Sequence, residues 1–248
     1  FLHEDLVREL RSSVFLLGPM LARKKSVRMG FPGGCDIGKR PVDIHLDALR
    51  KLGAEIEERG GEIICRAESL RGAAVRLPFP SVGATENVMM AAAMAEGITV
   101  IRNAAREPEI TELQNFLNAM GAEISGAGTS VIIISGKRRL RGAEWTVMPD
   151  RIESGTLILA AAATGGEIFI KNAPAADMDA FLGCVKRTGV TIEIQEDGVG
   201  VSAPERLLSP GKVETRPYPG FPTDLQSQFL AAMTQSKGVS VIEENIFE

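Results

Sequence analysis

An internal repeat constrains the fold of this chain more than any other feature of its sequence. The residues Gly-Ala-Glu-Ile at 53–56 return 68 positions later at 121–124 and, after a further 68 and more loosely, as Gly-Val-Thr-Ile at 189–192. Apolar residues at three- and four-residue spacing precede each copy and predict a helix, which the glycine then ends. These predicted helices cover residues 44–52, 110–120 and 178–188.

A second predicted helix in each copy is rich in alanine and runs into a glycine followed by a predicted strand. These helices cover residues 88–96, 156–164 and 225–237, and their strands cover 97–101, 166–170 and 238–242. Because alanine lets backbones approach closely, we expect these helices to be buried, whereas those carrying Arg50, Glu112 and Lys186 should face solvent. With a strand at 131–135, the pattern predicts an α/β fold of repeated helix–strand–helix–strand–strand units. Strands leading into Gly-x-Gly-x-x-Gly are absent, so this is not a Rossmann pattern, and the repeat by itself indicates no function.

Composition excludes several classes of protein. With 248 residues, 44% of them apolar and 24% charged, the chain is long enough for two ordinary globular domains. A net charge of −4 disfavours a nucleic-acid-binding protein, and no apolar run is long enough to predict a membrane span. Three cysteines without Cys-x-x-Cys spacing are typical of a reducing, cytoplasmic compartment, and two histidines favour chemistry without a metal or cofactor. The missing initial Met and the abrupt end favour a chain cut at both ends.

A loop at residues 31–41, with three glycines and two prolines, carries Cys35. Lys39 and Arg40 follow closely, and nearby positive charge favours the reactive thiolate. The alternative is a free cysteine in a turn beside a solvated basic surface. The chemistry of the loop does not decide between them.

Five motifs in a fixed order cover nearly the whole chain and resemble one family. They are Pro-Gly-Gly-Cys at 32–35 with Ile-Gly at 37–38 and Arg-Pro-Val-Asp at 40–43, Pro-Ser-Val-Gly-Ala-Thr at 80–85, Asn-Ala-Ala-Arg-Glu-Pro-Glu-Ile at 103–110, Pro-Asp-Arg-Ile-Glu at 149–153, and Phe-Pro-Thr-Asp-Leu-Gln at 221–226. In this order they resemble the enolpyruvyl transferases that act on UDP-N-acetylglucosamine. The resemblance implies a two-domain inside-out α/β barrel, with helices inside and sheets outside. It assigns residues 1–148 to the cysteine-loop domain, without its N-terminal part, and 149–248 to the first half of the second domain, with substrate held between them.

The resemblance also implies the reaction and its catalytic residues. The enolpyruvyl group of phosphoenolpyruvate passes to the 3′-hydroxyl of UDP-N-acetylglucosamine with release of phosphate, in the first committed step of peptidoglycan precursor synthesis. Cys35 matches the family's proton donor, which can also form an adduct with phosphoenolpyruvate, and Asp224 matches the base at the sugar hydroxyl. The alternative for Asp224 is an ordinary helix N-cap, since Pro-Thr-Asp precedes a predicted helix.

Residues matching the family's substrate contacts lie in four places. They are Arg11, the segment Arg40, Pro41, Val42, Asp43 and Ile44, the helix start Ser81, Val82 and Gly83, and Ile246, which contacts the sugar through its backbone. Their alternatives are a solvated helix face for Arg11 and a plain capped helix at Ser81. One departure is Phe79, where many relatives have a lysine, so one phosphate contact is missing or supplied elsewhere.

The resemblance further implies a cytoplasmic monomer that needs no cofactor, nucleic acid or membrane. Cys65 and Cys184 are expected to be packing residues, and the 248-residue chain alone is expected to be inactive, because family contacts to phosphoenolpyruvate near both termini are missing. Two alternatives remain open. One is 3-phosphoshikimate 1-carboxyvinyltransferase, against which the cysteine loop argues. The other is a catalytically silent UDP-sugar-binding paralogue, against which the presence of both Cys35 and Asp224 argues.

Overall fold

Two structural units make up the chain, Phe1–Thr146 (unit 1) and Val147–Glu248 (unit 2). The computed structural model describes residues 4–33, 42–137 and 139–247. Each unit has its own hydrophobic core. The division lies two residues before the domain boundary predicted after residue 148.

The first copy of the repeat begins after a short helix and a 3₁₀ segment. These are α1 (Glu4–Glu9) and the 3₁₀ helix Arg11–Leu16. The copy itself consists of α2 (Leu17–Lys24), β1 (Ser26–Gly30), α3 (Asp43–Lys51), β2 (Glu55–Arg59) and β3 (Glu62–Arg66). Its strands form an antiparallel sheet in the order β1-β3-β2, with Val27 opposite Cys65 and Ile56 opposite the same residue on the other side.

The second copy has the same order of elements. They are α4 (Val82–Ala92), β5 (Ile98–Arg102), α5 (Pro108–Ala119), β6 (Glu123–Ser125) and β7 (Val131–Ser135), preceded by the linking strand β4 (Ala74–Arg76). The sheet order is β4-β5-β7-β6, in which only the β4–β5 pair is parallel. The last strand of the copy again lies between the other two.

Unit 2 contains the third copy and the start of a fourth. The third consists of α6 (Arg151–Thr164), β8 (Glu167–Lys171), α7 (Asp179–Lys186), β9 (Thr191–Gln195) and β10 (Gly198–Ser202), with a 3₁₀ turn at Ala175–Asp177. Its antiparallel order is β8-β10-β9. The remainder comprises β11 (Leu207–Leu208), β12 (Lys212–Glu214), a 3₁₀ turn (Thr223–Leu225), α8 (Gln226–Met233), β13 (Ser236–Lys237) and β14 (Val241–Glu243), with parallel pairs β11–β13 and β12–β14.

The three copies share one physical plan, which confirms the predicted repeat. In β7, Ile132 and Ile134 are buried while Ile133 is 47% exposed, so one face of the sheet packs on helices and the other is bare. The repeated glycines have positive φ angles of 94°, 100° and 90° at Gly53, Gly121 and Gly189. This left-handed conformation just past a helix end is the one that glycine adopts without steric cost.

Several predicted helix boundaries were wrong. Helix α4 begins at Val82 rather than 88 and α6 at Arg151 rather than 156, because Ser81 and Asp150 cap them with their side chains. The helix predicted over 225–237 ends at Met233, because Ser236–Lys237 pairs with Leu207–Leu208 as a strand. Burial of the alanine-rich helices is most complete in α4, whereas Leu157 of α6 and Leu230 of α8 are exposed.

Candidate functional site

The segment that leads into the cysteine loop is fixed against the start of the chain. The Gly33 N–H donates to the carbonyl oxygen of Val7 at 3.2 Å, and Nη1 of Arg11 donates to that of Pro32 at 3.4 Å. A Cβ at position 33 would overlap the Arg8 carbonyl, so this close approach requires glycine. Cys35, Arg40 and Pro41 lie outside the described residues.

The described substrate-contact residues predicted for unit 1 meet at one end of α4. Val42 is buried at the start of α3, followed by exposed Asp43 and half-buried Ile44. Directly after them, His45 lies against the start of α4: a Cβ added at Gly83 would be 2.8 Å from His45 Cε1. The charge of Arg11 also acts on His45. The tertiary structure therefore groups three segments that are far apart in sequence.

The N-terminus of α4 presents unpaired backbone donors. The Ser81 side chain accepts a hydrogen bond from the Ala84 N–H at 3.3 Å, as an N-cap does. Among the described residues, the N–H groups of Val82 and Gly83 have no hydrogen-bond acceptor. Two free N–H groups at the positive end of a helix dipole form a favourable position for an anion such as a phosphate.

Two buried residues beside this helix start were missed by the sequence analysis. Asn87, one turn and a half into α4, is fully buried, and His45 is 8% exposed. Asn87 Oδ1 accepts from the Gly18 N–H at 2.9 Å, while Nδ2 donates to the Val14 carbonyl and to His45 Nδ1, both at 2.9 Å. Burial first, and then the charge of Arg11, lower the pKa of His45 to about 4, against a smaller opposing effect of Asp43. The imidazole is therefore neutral at physiological pH.

A carboxyl group with a raised pKa lies one helical turn beyond Gly83. Burial is the main cause that raises the pKa of Glu86 to about 7, and the nearby charges of Glu109 and Glu107 add to it. These two acids stand at the start of α5, which packs against α4. Glu86 thus carries a proton for part of the time at neutral pH.

In unit 2, Asp224 and Ile246 are held together through a third residue, Glu244, which the sequence analysis also missed. Its carboxylate accepts from Thr223 Oγ1, next to Asp224, at 2.8 Å and from the Ile246 N–H at 2.7 Å. It also accepts from Thr215 Oγ1 at 2.8 Å and from the Phe247 N–H at 3.2 Å. Burial raises the pKa of Glu244, but these hydrogen bonds outweigh it and the net shift is downward.

The hydrogen bonds of Glu244 and the position of the 3₁₀ turn limit what Asp224 and Ile246 can do. Asp224 is exposed within the 3₁₀ turn Thr223–Leu225, and the N-cap residues of this turn and of α8 are Pro222 and Leu225, so Asp224 does not occupy the N-cap position of either. The Ile246 N–H is occupied by Glu244. A backbone contact from Ile246 to a substrate would accordingly be made by its carbonyl oxygen.

The motif at 149–153 has a structural role in unit 2. Asp150 Oδ1 caps α6 by accepting from the N–H groups of Ile152 at 2.7 Å and Glu153 at 3.0 Å. Arg151 is 7% exposed, and its guanidinium carbon lies 5.8 Å from the centre of the Tyr218 ring. Arg151 and Tyr218 line a small pocket of about 50 Å³ that reaches Leu225.

The described cysteines are structural, as expected. Cys65 is fully buried in unit 1 and Cys184 is 8% exposed in unit 2. Burial raises the pKa of the Cys65 thiol to about 12 and that of Cys184 above its ordinary value. Over residues 4–33, 42–137 and 139–247, no three His, Cys, Asp or Glu side chains are grouped to hold a metal ion. In the same ranges, no helix has the length and apolar character needed to cross a membrane.

The whole chain resembles one family of known proteins. A family model described as EPSP synthase (3-phosphoshikimate 1-carboxyvinyltransferase) matches residues 1–248. The chain belongs to this family. Within the EPSP synthase family, it is 48% identical over 245 residues to UDP-N-acetylglucosamine 1-carboxyvinyltransferase 2 of Caldanaerobacter subterraneus subsp. tengcongensis, covering 99% of this chain and 59% of that protein. It is 52% identical over 245 residues to UDP-N-acetylglucosamine 1-carboxyvinyltransferase 1 of Symbiobacterium thermophilum, covering 98% and 55%.

Solved structures of the EPSP synthase family have the same fold. The enolpyruvyl transferase NikO from Streptomyces tendae superposes with a TM-score of 0.83 at 20% identity, over 98% of this chain and 58% of that one. EPSP synthase from Acinetobacter baumannii gives a TM-score of 0.58 at 20% identity, over 94% and 55%. The chain thus spans less than two thirds of the length of these relatives.

Proposed function

We propose that this chain is part of an enzyme that transfers the enolpyruvyl group of phosphoenolpyruvate to the 3′-hydroxyl of UDP-N-acetylglucosamine and releases phosphate. The observation that carries the proposal is the grouping of Arg11, the start of α3 and the N-terminus of α4 at one place in unit 1. Donors and positive charge concentrated there suit a diphosphate. Sequence identity of about 50% to proteins named UDP-N-acetylglucosamine 1-carboxyvinyltransferase supports UDP-N-acetylglucosamine as the substrate.

The reaction proceeds by addition and elimination, and two groups exchange protons. In the addition, Cys35 protonates C3 of phosphoenolpyruvate while Asp224 takes the proton of the sugar hydroxyl, whose oxygen bonds to C2. In the elimination the transfers reverse: the Cys35 thiolate takes a proton from C3, Asp224 returns its proton to the phosphate as the bond from C2 to the phosphate oxygen breaks, and the double bond is restored. The exposure of the Asp224 side chain to solvent supports its role as the base.

The same proposal includes the domain organisation, the remaining UDP-sugar contacts and the cellular role of the full-length protein. The full-length protein has two domains that form an inside-out α/β barrel, with residues 1–148 in the cysteine-loop domain and 149–248 in the second. Arg40 and Pro41 contribute to the UDP-sugar contacts together with Val42, Asp43 and Ile44. The enzyme acts as a cytoplasmic monomer, without a cofactor, in peptidoglycan precursor synthesis for the cell wall.

The test is release of phosphate by the full-length protein, with phosphoenolpyruvate and either UDP-N-acetylglucosamine or 3-phosphoshikimate as acceptor. Turnover with the first acceptor alone is expected. Turnover with 3-phosphoshikimate would favour the alternative enzyme, and binding of the UDP-sugar without turnover would favour a silent paralogue. The 248-residue chain, assayed in parallel, is expected to release no phosphate.

A second experiment examines Cys35 separately. Fosfomycin is an epoxide that a thiolate opens, forming a carbon–sulfur bond and leaving the epoxide oxygen as a hydroxyl. Mass spectrometry of the treated full-length protein should find one adduct, on Cys35. Cys65 and Cys184 are internal controls, because both are buried thiols with raised pKa values. Labelling of either control instead of Cys35 would contradict the proposed role.

A further inference from the structure

Hydrogen bonding around Asn87 fixes how the His45 ring is protonated. A backbone N–H can only donate, so the bond from the Gly18 N–H identifies the accepting amide atom as Oδ1. The other amide atom is then Nδ2, which donates to the Val14 carbonyl and faces His45 Nδ1 at 2.9 Å. Nδ1 must accept this hydrogen bond, so in the neutral ring the hydrogen is on Nε2.

Burial, Asn87 and Arg11 together oppose protonation of His45. A hydrogen on Nδ1 would face the Nδ2 donor of Asn87 on α4, and the charge of Arg11 on the 3₁₀ segment repels an imidazolium. Asp43 on α3 acts in the opposite direction, but burial and Arg11 outweigh it and hold the pKa near 4. Phe15 packs edge-on to the ring and brings no charge.

The Nε2–H of His45 points to the start of α4. A Cβ at Gly83 would lie 3.2 Å from Nε2, so only a glycine leaves this edge of the ring open. Among the described residues, Nε2 has no hydrogen-bond partner, although the residue is more than nine-tenths buried. Nε2–H of His45, the N–H groups of Val82 and Gly83, and Arg11 together form what we name the unit 1 donor cluster.

We propose that His45, as a neutral imidazole with its tautomer fixed by Asn87, donates a hydrogen bond from Nε2 to a phosphate oxygen of the nucleoside diphosphate substrate. The inference rests on the proposed function and adds a substrate-binding residue to it. Although the residue is almost entirely buried, Nε2 itself is not enclosed: among the described residues, Thr99 Oγ1 is the fully buried side-chain polar atom that lacks a hydrogen-bond partner. The Nε2–H therefore stays accessible to a ligand at the start of α4, and a phosphate oxygen is a strong acceptor. Because the donor is neutral, its hydrogen bond requires no proton uptake, and the contribution of His45 to binding stays constant between pH 6 and pH 8.

Binding measurements on the full-length protein test the inference. Calorimetry would compare UDP-N-acetylglucosamine, UDP and uridine. His45→Leu should weaken the first two about 10- to 100-fold and leave uridine unchanged, since only the first two carry a diphosphate. His45→Gln, which keeps a neutral N–H donor, should recover part of the loss. The ratio between wild type and His45→Leu should stay constant from pH 6 to pH 8.

A spectroscopic measurement needs no substitution that could disturb folding. In ¹⁵N-histidine-labelled protein, long-range ¹H–¹⁵N spectra should show His45 with hydrogen on Nε2 alone between pH 6 and pH 8, and UDP should shift the Nε2 signal. A matched pair adds a readout of positioning: Asn87→Ala should release the tautomer and weaken UDP binding. Asn118→Ala, which removes a similar amide bridge to Ile124, should do neither.

The outcomes separate the two proposals. If the wild-type protein binds neither UDP nor UDP-N-acetylglucosamine, the proposed function fails and the inference fails with it. If it binds both but His45→Leu binds equally well, only the inference is wrong. Hydrogen on Nδ1, or an imidazolium at pH 7, would also overturn the inference while leaving the proposed function intact.

Discussion

The two units hold their candidate site residues by different physical means. In unit 1, the residues are grouped around the N-terminus of α4, an eleven-residue helix with seven buried residues, and around a buried Asn–His pair. In unit 2, Asp224 and Ile246 lie on short irregular segments that one carboxylate, Glu244, ties together. The first arrangement relies on close packing and neutral donors, whereas the second relies on a single charge.

This difference separates two kinds of sensitivity. A packed helix start with a neutral imidazole should respond to changes in volume and hardly to pH. A turn held by a carboxylate that accepts four hydrogen bonds should respond to loss of that charge and to acid. Four substitutions, two in each unit, distinguish these two kinds of sensitivity.

Asp224→Asn should lower kcat about 10²- to 10⁴-fold, the range for loss of a general base. Affinity for UDP-N-acetylglucosamine should change little, because the unit 1 donor cluster remains intact. Phosphate release and calorimetry on the full-length protein measure the two quantities. Asp179→Asn changes another exposed acid at the start of a unit 2 helix and should keep full activity. If Asp224→Asn were equally active, Asp224 would not be the base.

Gly18→Ala should destabilise the protein by about 1 to 3 kcal/mol through overpacking. The new Cβ would overlap the Asn87 backbone carbonyl and lie 2.9 Å from Oδ1, forcing α2 away from α4. Gly183→Ala in α7 is the matched control, since a Cβ there meets no atom within 4 Å. Helix propensity should make the control neutral or up to about 1 kcal/mol more stable. Urea unfolding measures both, and equal stabilities would show that unit 1 is not closely packed here.

Glu244→Ala should destabilise unit 2 by about 1 to 3 kcal/mol, because four donors lose their shared acceptor. Because the folded-state pKa lies below the ordinary 4.5, the stabilisation by Glu244 is present above pH 4.5 and is lost as pH falls through the lowered value. The difference between wild type and variant, from urea unfolding, should therefore shrink below pH 4.

Two controls accompany the Glu244 substitution. Glu243→Ala removes an exposed ion pair with Lys212 and should cost at most about 1 kcal/mol. Affinity for UDP should be unchanged in Glu244→Ala, because the proposed diphosphate contacts are all made by the donor cluster of unit 1. A loss of UDP affinity, or a pH-independent difference in stability, would show that the contrast between the units is wrong.

Glu86→Gln should stabilise the protein by about 2 to 3 kcal/mol more at pH 8 than at pH 5. The folded-state pKa of Glu86 is about 7, above the ordinary 4.5, so the wild-type protein loses stability as pH rises between these values. Glutamine removes this dependence. Glu96→Gln, at an exposed position of the same unit, is the matched control. An effect of Glu86→Gln that is the same at pH 5 and pH 8 would contradict the raised pKa of Glu86.

Much of the secondary structure could be predicted because its causes are local. Apolar spacing and the glycines Gly53, Gly121 and Gly189 indicated the repeated helix ends, which positive φ angles confirm. Helix starts were missed where capping decides them, as at Ser81 and Asp150, because the first turn of α4 and α6 has weak apolar periodicity. At Ser236–Lys237 the local sequence predicts helix, whereas the structure has a strand, because the pairing partner Leu207–Leu208 is distant in sequence.

The repeat, the family motifs and the order of the site segments can all be read from the sequence, because they depend on residue type and local spacing. Only the tertiary structure brought His45 and Asn87, 42 residues apart, into a hydrogen-bonded pair beside Gly83. It alone showed that Glu244 joins the Ile246 backbone to Thr223, the neighbour of Asp224, and that the helix after Asp224 has Leu225 at its N-cap position. Protonation states and hydrogen-bond partners depend on burial and on distant neighbours, and local sequence does not contain either.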